Sequence, residues 1–150
     1  MTPYSAYRIH QDPDGSHRAG IETLEVPPLA EGEVLIRTRY SSINYKDALA
    51  GTGKGKILHR FPLVGGIDSG GLVAASRSER YREGDEVIVT GYGLSVTQDG
   101  GYAEYLKVPG DWIVPLPRGM SLEESMIIGT AGFTAAYALH RLEQNGQRPE

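Results

Sequence analysis

The sequence predicts a mainly β fold, a small barrel, followed by helices at the C-terminal end. Short stretches of alternating apolar and polar residues recur along the chain up to about residue 120, and turns rich in Gly and Pro separate them. The 150-residue chain contains 20 Gly and 9 Pro, which favours a turn-rich β protein over a helical bundle. Its length suits one domain with a real core.

The strands are predicted from alternation between turn signals. A Pro-Asp-Gly turn at residues 11–15 separates the first two strands, and a loop at residues 91–99 precedes the last long one. The predicted strands cover residues 4–9, 19–26, 34–40, 72–75, 86–90 and 100–108, and an extended segment follows at residues 112–117.

The last part of the chain is predicted to be helical. Ser121 and Glu124 match a Ser-x-x-Glu capping box ahead of an apolar run. Small residues at positions 129–132 interrupt the pattern, and a second helix is expected over residues 133–144, ending at Asn145 and Gly146. The small residues allow close approach of a ligand or of a neighbouring helix. We therefore divide the chain into a barrel, residues 1–120, and a helical connection, residues 121–150.

Composition excludes several classes of function. A net charge of −4 gives no electrostatic case for nucleic-acid binding. No apolar run is long enough to span a membrane and no signal-peptide pattern is present, so we expect a cytoplasmic protein. The chain has no Cys, its 4 His lack paired helical spacing, and neither a Gly-x-Ser-x-Gly elbow nor a complete Gly-x-Gly-x-x-Gly is present.

Four consecutive hydrogen-bonding side chains, Asn44 to Asp47, follow the third predicted strand. If Ser42 caps a short helix, Asn44 and Asp47 lie three residues apart on one face, while Tyr45 points elsewhere. Glycines at positions 51, 53 and 55 would end that helix. From the residues alone, a solvated capped turn is the favoured explanation, because polar turns are common.

Residues 41–56, 61–71, 110–112 and 126–135 resemble the zinc-free medium-chain dehydrogenases/reductases. The similarity is greatest to their YhdH/YhfP-type quinone oxidoreductase (acrylyl-CoA reductase) branch, and it extends over essentially the whole chain. It implies a GroES-like β-barrel catalytic domain. In the family a Rossmann domain begins just beyond a segment like residues 147–150, so that domain is absent from this chain. We therefore expect the N-terminal catalytic portion of a longer enzyme, or a truncated form of one.

The resemblance also implies a site without metal. Zinc-dependent alcohol dehydrogenases of the superfamily carry a Cys near the position of Asn44, and Gly-His-Glu where this chain has Gly66-Ile67-Asp68. Ile67 cannot ligate a metal. Asp68, in an apolar Gly-rich setting, is expected to be a buried carboxylate that accepts backbone N–H groups.

The implied reaction is conjugate reduction of an activated C=C bond with NADPH as cofactor. Charge developing on the carbonyl oxygen of an enone, quinone or enoyl thioester must meet hydrogen-bond donors, for which Tyr45, Asn44 and backbone amides are candidates. An ordinary phenol stays protonated at neutral pH, so Tyr45 could also supply the proton. The alternative for Tyr45 is a wall and hydrogen-bond partner for the nicotinamide.

The resemblance implies roles for other site residues, and most of these roles have an alternative. Asn44 and Asp47, assigned to the catalytic group, could instead fix the local backbone or the nicotinamide amide. Thr130 and Thr134 are assigned with Tyr45 to cofactor binding, and the alternative for Thr130 is a bond to a preceding helical carbonyl. The resemblance also assigns Lys54 and Lys56 to substrate binding through a CoA phosphate, or else they are solvated loop lysines.

Two other functions stay open at this point. One is a non-catalytic GroES-like binding or assembly module, and the other is an inactive truncated fragment that self-associates through a helix around Ile127, Ile128 and Phe133. For the reductase we expect a small-molecule substrate (enoyl-CoA, enone or quinone), no nucleic acid, no membrane, and compatibility with a homodimer. The isolated chain is expected to show no NADPH oxidation.

Overall fold

A computed structural model describes residues 3–148 and shows two antiparallel β-sheets and a long C-terminal helix. Two helices, α1 and α2, flank the sheets, and a short 3-10 turn spans Gly110–Trp112. The helices are α1 (Tyr45–Thr52) and α2 (Leu122–Gln144), and the strands are β1 (Pro3–Gln11), β2 (His17–Glu25), β3 (Glu33–Tyr40), β4 (Leu63–Val64), β5 (Asp68–Ser76), β6 (Glu86–Thr90), β7 (Tyr105–Pro109) and β8 (Val114–Pro115).

The two sheets are joined at a corner, as a small barrel requires. The first has the strand order β2-β1-β4 and the second β7-β3-β5-β6-β8. Between them, the N–H of Tyr7 donates to the carbonyl of Tyr102 at 2.8 Å and the N–H of Glu104 to the carbonyl of Ser5 at 3.0 Å. The prediction of a mainly β fold with C-terminal helical structure is confirmed.

The main core lies inside the larger sheet, where alternate strand residues point inward. In β3, Val34 and Ile36 are fully buried, and Leu35 between them is buried as well, so the first half of this strand does not show the predicted alternation. A second cluster holds α1 against the smaller sheet through Ala50, Leu58 and Leu63. The C-terminal half of α1 is therefore packed against the smaller sheet.

Two strands begin more than two residues away from their predicted starts. β5 begins at Asp68, four residues before the predicted start at residue 72, because Gly70 and Gly71 conceal the alternation. The predicted strand at 100–108 is regular only from Tyr105, because the preceding residues cross between the sheets: the N–H of Gly100 donates to Val64 at 3.0 Å.

The residue that caps α1 differs from the one considered in the sequence analysis. The sequence analysis considered Ser42 as the cap, but the N-cap is Asn44, whose own N–H donates to the Asp47 carboxylate at 2.9 Å. Ser42 lies two residues before this cap, where its hydroxyl donates to the Asp68 carboxylate and its oxygen faces the side-chain amide of Asn44 at 3.1 Å. Asn44 and Asp47 remain three residues apart, and Gly53, with φ of 69°, ends the helix.

The helical part matches the capping prediction and differs at the break. Ser121 and Glu124 form the expected box, and α2 gives way to Asn145 and Gly146. Only Gly129 departs from helical geometry, with φ of 51°, so the second half starts at residue 130 instead of 133.

Pro149 and Glu150, where the predicted connection ends, lie outside the described residues, and the division at residue 120 stays a prediction. Among residues 3–148, no helix has the length and hydrophobicity needed to cross a membrane.

Candidate active site

The candidate active site is built around Asp68 at the start of β5. Its carboxylate is fully buried and accepts hydrogen bonds from four donors. Asn44 Nδ2 and the N–H of Thr130 each lie 3.0 Å from Oδ2, and the hydroxyls of Ser42 and Thr130 also donate to it. Such a set of donors stabilises a carboxylate away from water. Asp68 is thus the buried acceptor of a backbone N–H that we expected.

Asp68 also holds the second half of α2, which begins after the break at Gly129. Thr130 directly follows the break at Gly129, so its N–H belongs to the first turn of the second half of α2. A negative charge at a helix N-terminus is favourable. A Cβ on Gly129 would lie 2.9 Å from the side chain of Ser42, which leaves room there only for glycine. The start of α1 and the second half of α2 are therefore held by one carboxylate.

Asn44 bridges two carboxylates. Its Nδ2 lies 3.0 Å from Asp68 Oδ2, 3.2 Å from Asp47 Oδ2 and 3.1 Å from Ser42 Oγ. An amide nitrogen has two hydrogens, so these three acceptors use its whole donor capacity. Asp47 is buried as well, and its other oxygen accepts from the N–H of Ile67 at 3.0 Å. The contacts favour a positioning role for Asn44 and Asp47 over direct contact with a substrate oxygen.

Tyr45, Thr130 and Thr134 come together around one cavity of about 400 Å³, the Tyr45 cavity. The side chain of Tyr45 is 81% exposed, and its hydroxyl donates to no described residue, so it is free to bind a ligand. The remaining walls include Asn44, Lys46, Ile67, Tyr92 and Leu94.

The two threonines use their hydroxyl protons within the protein. Thr130 donates to Asp68, whereas Thr134 donates to the carbonyl of Thr130 at 2.7 Å. The bond to a preceding helical carbonyl, considered for Thr130, is therefore made by Thr134. Both hydroxyl oxygens keep acceptor capacity toward a ligand.

A second cavity of about 360 Å³, the Tyr102 cavity, lies along the other side of α1. Ile43, Asp47 and Thr52 line it with Tyr7 and Tyr102. At the start of α1, the consecutive residues Ile43 and Asn44 line one cavity each, Ile43 the Tyr102 cavity and Asn44 the Tyr45 cavity.

Tyr102 was missed by the sequence analysis. Its hydroxyl donates to the carbonyl of Ser42 at 3.0 Å. Burial, and then the negative charges of Asp47 and Asp68, raise the pKa of the Tyr102 phenol well above its ordinary value of 10.0. The Tyr102 ring lies so close to Gly66 that a Cβ there would be 2.6 Å away. In the sequence, the Gly pairs at 65–66 and 100–101 were the feature that could have indicated this close packing.

Tyr92, a second residue that the sequence analysis missed, forms an aromatic wall of the Tyr45 cavity. Its ring stacks on Trp112 at a centroid distance of 5.2 Å and an interplanar angle of 5°. Its φ of 50° is in the left-handed region, which is unfavourable for a bulky residue and is concentrated at functional sites. Tyr92 stands between two glycines in the sequence, which was the only signal.

Lys54 and Lys56 lie beyond the other end of α1, apart from the Asn44–Asp47 cluster. Lys56 lines a third cavity of about 660 Å³, the Lys56 cavity, together with His17, His59 and Phe61, and Lys54 is not among its lining residues. The structure thus separates the two lysines that the sequence analysis grouped.

The fold and this site define a class of protein. The chain belongs to the alcohol dehydrogenase GroES-like domain family, which matches residues 30–118.

Two individual relatives share a large part of this chain's sequence. The chain is 55% identical over 130 residues to the putative quinone oxidoreductase YhfP of Bacillus subtilis, covering 87% of this chain and 39% of that protein. It is 47% identical over 137 residues to the probable acrylyl-CoA reductase AcuI of Escherichia coli, covering 91% and 42%. The resemblance to the quinone oxidoreductase and acrylyl-CoA reductase branch is confirmed.

Solved structures support the same placement. The YhfP crystal structure with NAD bound superimposes with a TM-score of 0.93 at 49% identity, covering all of this chain and 45% of that one. The yhdH oxidoreductase of Salmonella enterica in complex with NADP gives a TM-score of 0.91 at 48% identity, covering 97% and 44%. The chain therefore spans less than half the length of the relatives it matches.

Proposed function

We propose that this chain is the catalytic-domain portion of an NADPH-dependent, zinc-independent reductase of activated C=C bonds. Its substrate is a small molecule, an enoyl-CoA, an enone or a quinone, and its location is cytoplasmic. One relative is named a putative quinone oxidoreductase and another a probable acrylyl-CoA reductase, and the related structures carry NAD or NADP. The observation that carries the proposal is the Tyr45 cavity, which unites an unbonded phenol with the two predicted cofactor-binding threonines.

The residues around this cavity fit the nicotinamide end of a dinucleotide. Tyr45 and Tyr92 offer aromatic surface, and Thr130 and Thr134 offer acceptor oxygens to an amide N–H. The volume of about 400 Å³ suits a ring and its amide rather than a whole dinucleotide. NADPH held there by Tyr45, Thr130 and Thr134 would supply the hydride for the reduction.

Tyr45 then has two tasks at the substrate carbonyl. Its phenol donates a hydrogen bond to the oxygen on which negative charge develops. A proton added at the α-carbon completes the reduction, and the exposed phenol can give that proton and regain one from water. Asn44 and Asp47 act as positioning residues, since their bonds fix the first turn of α1 from which Tyr45 projects.

The residues in place of zinc ligands support zinc independence. Asn44 is bonded to two carboxylates, Ile67 has an aliphatic side chain, and the chain contains no Cys. A Lewis acid would otherwise stabilise the developing charge. In its absence the task falls to hydrogen-bond donors such as Tyr45.

A chimaera tests this function. The chain would be continued by the residues of YhfP that it does not cover, and NADPH oxidation would be followed with acryloyl-CoA and with a small quinone. We expect the chimaera to reduce at least one substrate and the isolated 150-residue chain to reduce neither. Turnover by the isolated chain would contradict the proposed cofactor placement. A chimaera that is folded but inactive on both, beside an active YhfP control, would contradict the function.

A second candidate function, a non-catalytic assembly module, is favoured by one observation. The second half of α2 exposes Phe133, Tyr137 and Leu139, and the first half exposes Ile127. Under this alternative the chimaera would be inactive, and the isolated chain would self-associate through this helix.

A further inference from the structure

We propose that Tyr92 is a specificity-determining residue of the Tyr45 cavity and that Trp112 is the residue that positions it. Tyr92 lines the cavity, whereas Trp112 stacks on Tyr92 without being one of the lining residues. The inference rests on the proposed function and concerns the size of the substrate that the same cavity admits. The tyrosine ring forms a fixed wall, and the tryptophan keeps that wall in place.

The backbone holds Tyr92 at the tip of a short turn after β6. The N–H of Gly91 donates to the carbonyl of Ile67 at 2.9 Å, and the N–H of Leu94 donates to the carbonyl of Gly91 at 3.1 Å. Leu94 is itself buried in the main core. The φ of 50° at Tyr92 is a conformation that glycine or asparagine adopts more easily than a bulky aromatic residue. The turn alone does not explain a tyrosine at this position, so the reason lies in what its ring contacts.

Trp112 supplies the contact that keeps the Tyr92 ring in one orientation. The two rings are nearly parallel, at an interplanar angle of 5° and with centroids 5.2 Å apart, as in offset-stacked aromatic pairs. The indole is itself anchored, since it packs against the main core. A Cβ on Gly93 would lie only 3.4 Å from the indole, so the turn runs in contact with it. Tyr92 is 66% exposed, and without Trp112 its ring would be free to turn into the solvent.

Tyr92 differs from the other large apolar side chains of the cavity wall in having no other task. Ile67 and Leu94 are buried and serve the packing of the fold. Tyr45 carries the reaction steps proposed above. Tyr92 contributes its ring to the cavity wall and to the stack. It is therefore the side chain whose removal widens the cavity with least effect on the core and on the reacting phenol.

A fixed wall limits the size of the group that lies beside the nicotinamide. The cavity of about 400 Å³ has to hold the nicotinamide ring and the reacting end of the substrate together. A single quinone ring or an acryloyl group leaves the Tyr92 wall in place, whereas an additional ring would have to displace it. Displacement breaks the stack with Trp112. We therefore expect small substrates to be favoured over those that carry an additional ring.

The chimaera tests this size limit with pairs of substrates that differ by one ring. The pairs are benzoquinone with naphthoquinone and acryloyl-CoA with cinnamoyl-CoA. The measured quantity is the ratio of kcat/KM for the larger member to that for the smaller one, and the intrinsic reactivity of each pair cancels when variants are compared. Tyr92→Ala should raise this ratio about tenfold or more, the discrimination that a hydrophobic pocket gives for even a small group. Tyr92→Phe keeps the ring and should change the ratio less than about twofold.

Trp112→Leu tests the positioning step. It should raise the same ratio about threefold to fivefold, because loss of one stacking contact frees the Tyr92 ring in part. In a Tyr92→Ala background the same change should have no further effect on the ratio, since Trp112 acts only through Tyr92. Ile113→Val is the matched control, because Ile113 follows Trp112 and is buried in the same core, so this change lowers stability and should leave the ratio unchanged. Urea unfolding of each variant separates a loss of stability from a change in specificity.

Acrylamide quenching of Trp112 fluorescence in the isolated chain tests the stack without any reaction. Trp112 is the one tryptophan of the chain, and Tyr92 covers one face of its indole. Tyr92→Ala should raise the quenching constant about twofold by exposing that face, whereas Tyr92→Phe should leave it unchanged. Equal quenching constants for the wild type and Tyr92→Ala would show that the stack is not formed, and would overturn the inference.

Three results in an active chimaera would refute the inference and leave the proposed function standing. They are an unchanged ratio in Tyr92→Ala, an equal rise in Tyr92→Phe, and an effect of Trp112→Leu that persists in the Tyr92→Ala background. A folded chimaera that reduces no substrate, beside an active YhfP control, would instead refute the proposed function on which the inference rests.

Discussion

Replacing Asp68 by alanine should be among the most destabilising single changes in this chain. The carboxylate is fully buried, and its loss would leave four donors facing an empty space. The hydroxyls of Ser42 and Thr130 can rotate toward other acceptors. The Asn44 amide and the Thr130 backbone N–H are held by the structure, and each unsatisfied buried donor costs about 1–3 kcal/mol. The expected loss is therefore about 2–6 kcal/mol of unfolding free energy, against a total of about 5–15 kcal/mol for a typical domain.

Asp68→Asn is the matched control for this prediction. An amide oxygen at the Oδ2 position would still accept from three donors, and its NH2 group could donate to the Thr130 hydroxyl. Only the charge-assisted part is lost, so we expect about 1–2 kcal/mol.

Urea unfolding followed by the fluorescence of Trp112, the one tryptophan of the chain, measures both variants. An alanine variant that loses less than about 1 kcal/mol, or less than the asparagine variant, would refute the account of Asp68 as the hub of the site.

Two further predictions concern the fold. The backbone N–H of Ala30, at 2.7 Å, holds the pKa of Glu33 below its ordinary 4.5, so this stabilisation is present above pH 4.5 and lost as the pH falls through the lower folded-state pKa. Glu33→Gln should therefore flatten the acid limb of a stability-against-pH curve, and an unchanged limb would contradict this. Gly53→Ala would place a Cβ 2.4 Å from the His17 ring at a φ of 69°, and should cost about 2–3 kcal/mol in urea unfolding. The control Gly15→Ala, with φ of 85° and nothing within 4 Å, should cost only about 1 kcal/mol, and equal losses would show that His17 does not constrain the loop.

Local patterns predicted the elements well where local contacts decide them. The Ser121–Glu124 box needs only neighbouring residues, and it was found at the expected position. β3 was also found near its predicted range, although Val34, Leu35 and Ile36 are all buried and do not alternate. The residue that caps α1 could not be identified from the sequence, because Ser and Asn are both good N-cap residues. The position of Ser42 is set by its bond to Asp68, which lies 26 residues away in the sequence.

The same reason explains the helix break. Gly129 and Gly132 are both able to interrupt a helix, and no nearby residue distinguishes them. Gly129 is selected by its close approach to Ser42 and Asp68, both far away in sequence. The sequence analysis missed Tyr102 for the same reason, because its hydrogen-bond partner Ser42 lies 60 residues earlier. Site features that depend on contacts between residues far apart in the sequence cannot be read from spacing along the chain.

The turnover of Tyr45→Phe in the chimaera tests the central claim most directly. Tyr45 is 81% exposed and bonded to no described residue, so this change should leave folding intact. Loss of a phenol that stabilises charge and gives a proton should lower kcat for acryloyl-CoA about 100-fold or more, with little change in KM for NADPH. Tyr40→Phe, at another exposed tyrosine, should leave kcat unchanged. Wild-type turnover by Tyr45→Phe would contradict the claim that this phenol acts at the reacting carbonyl.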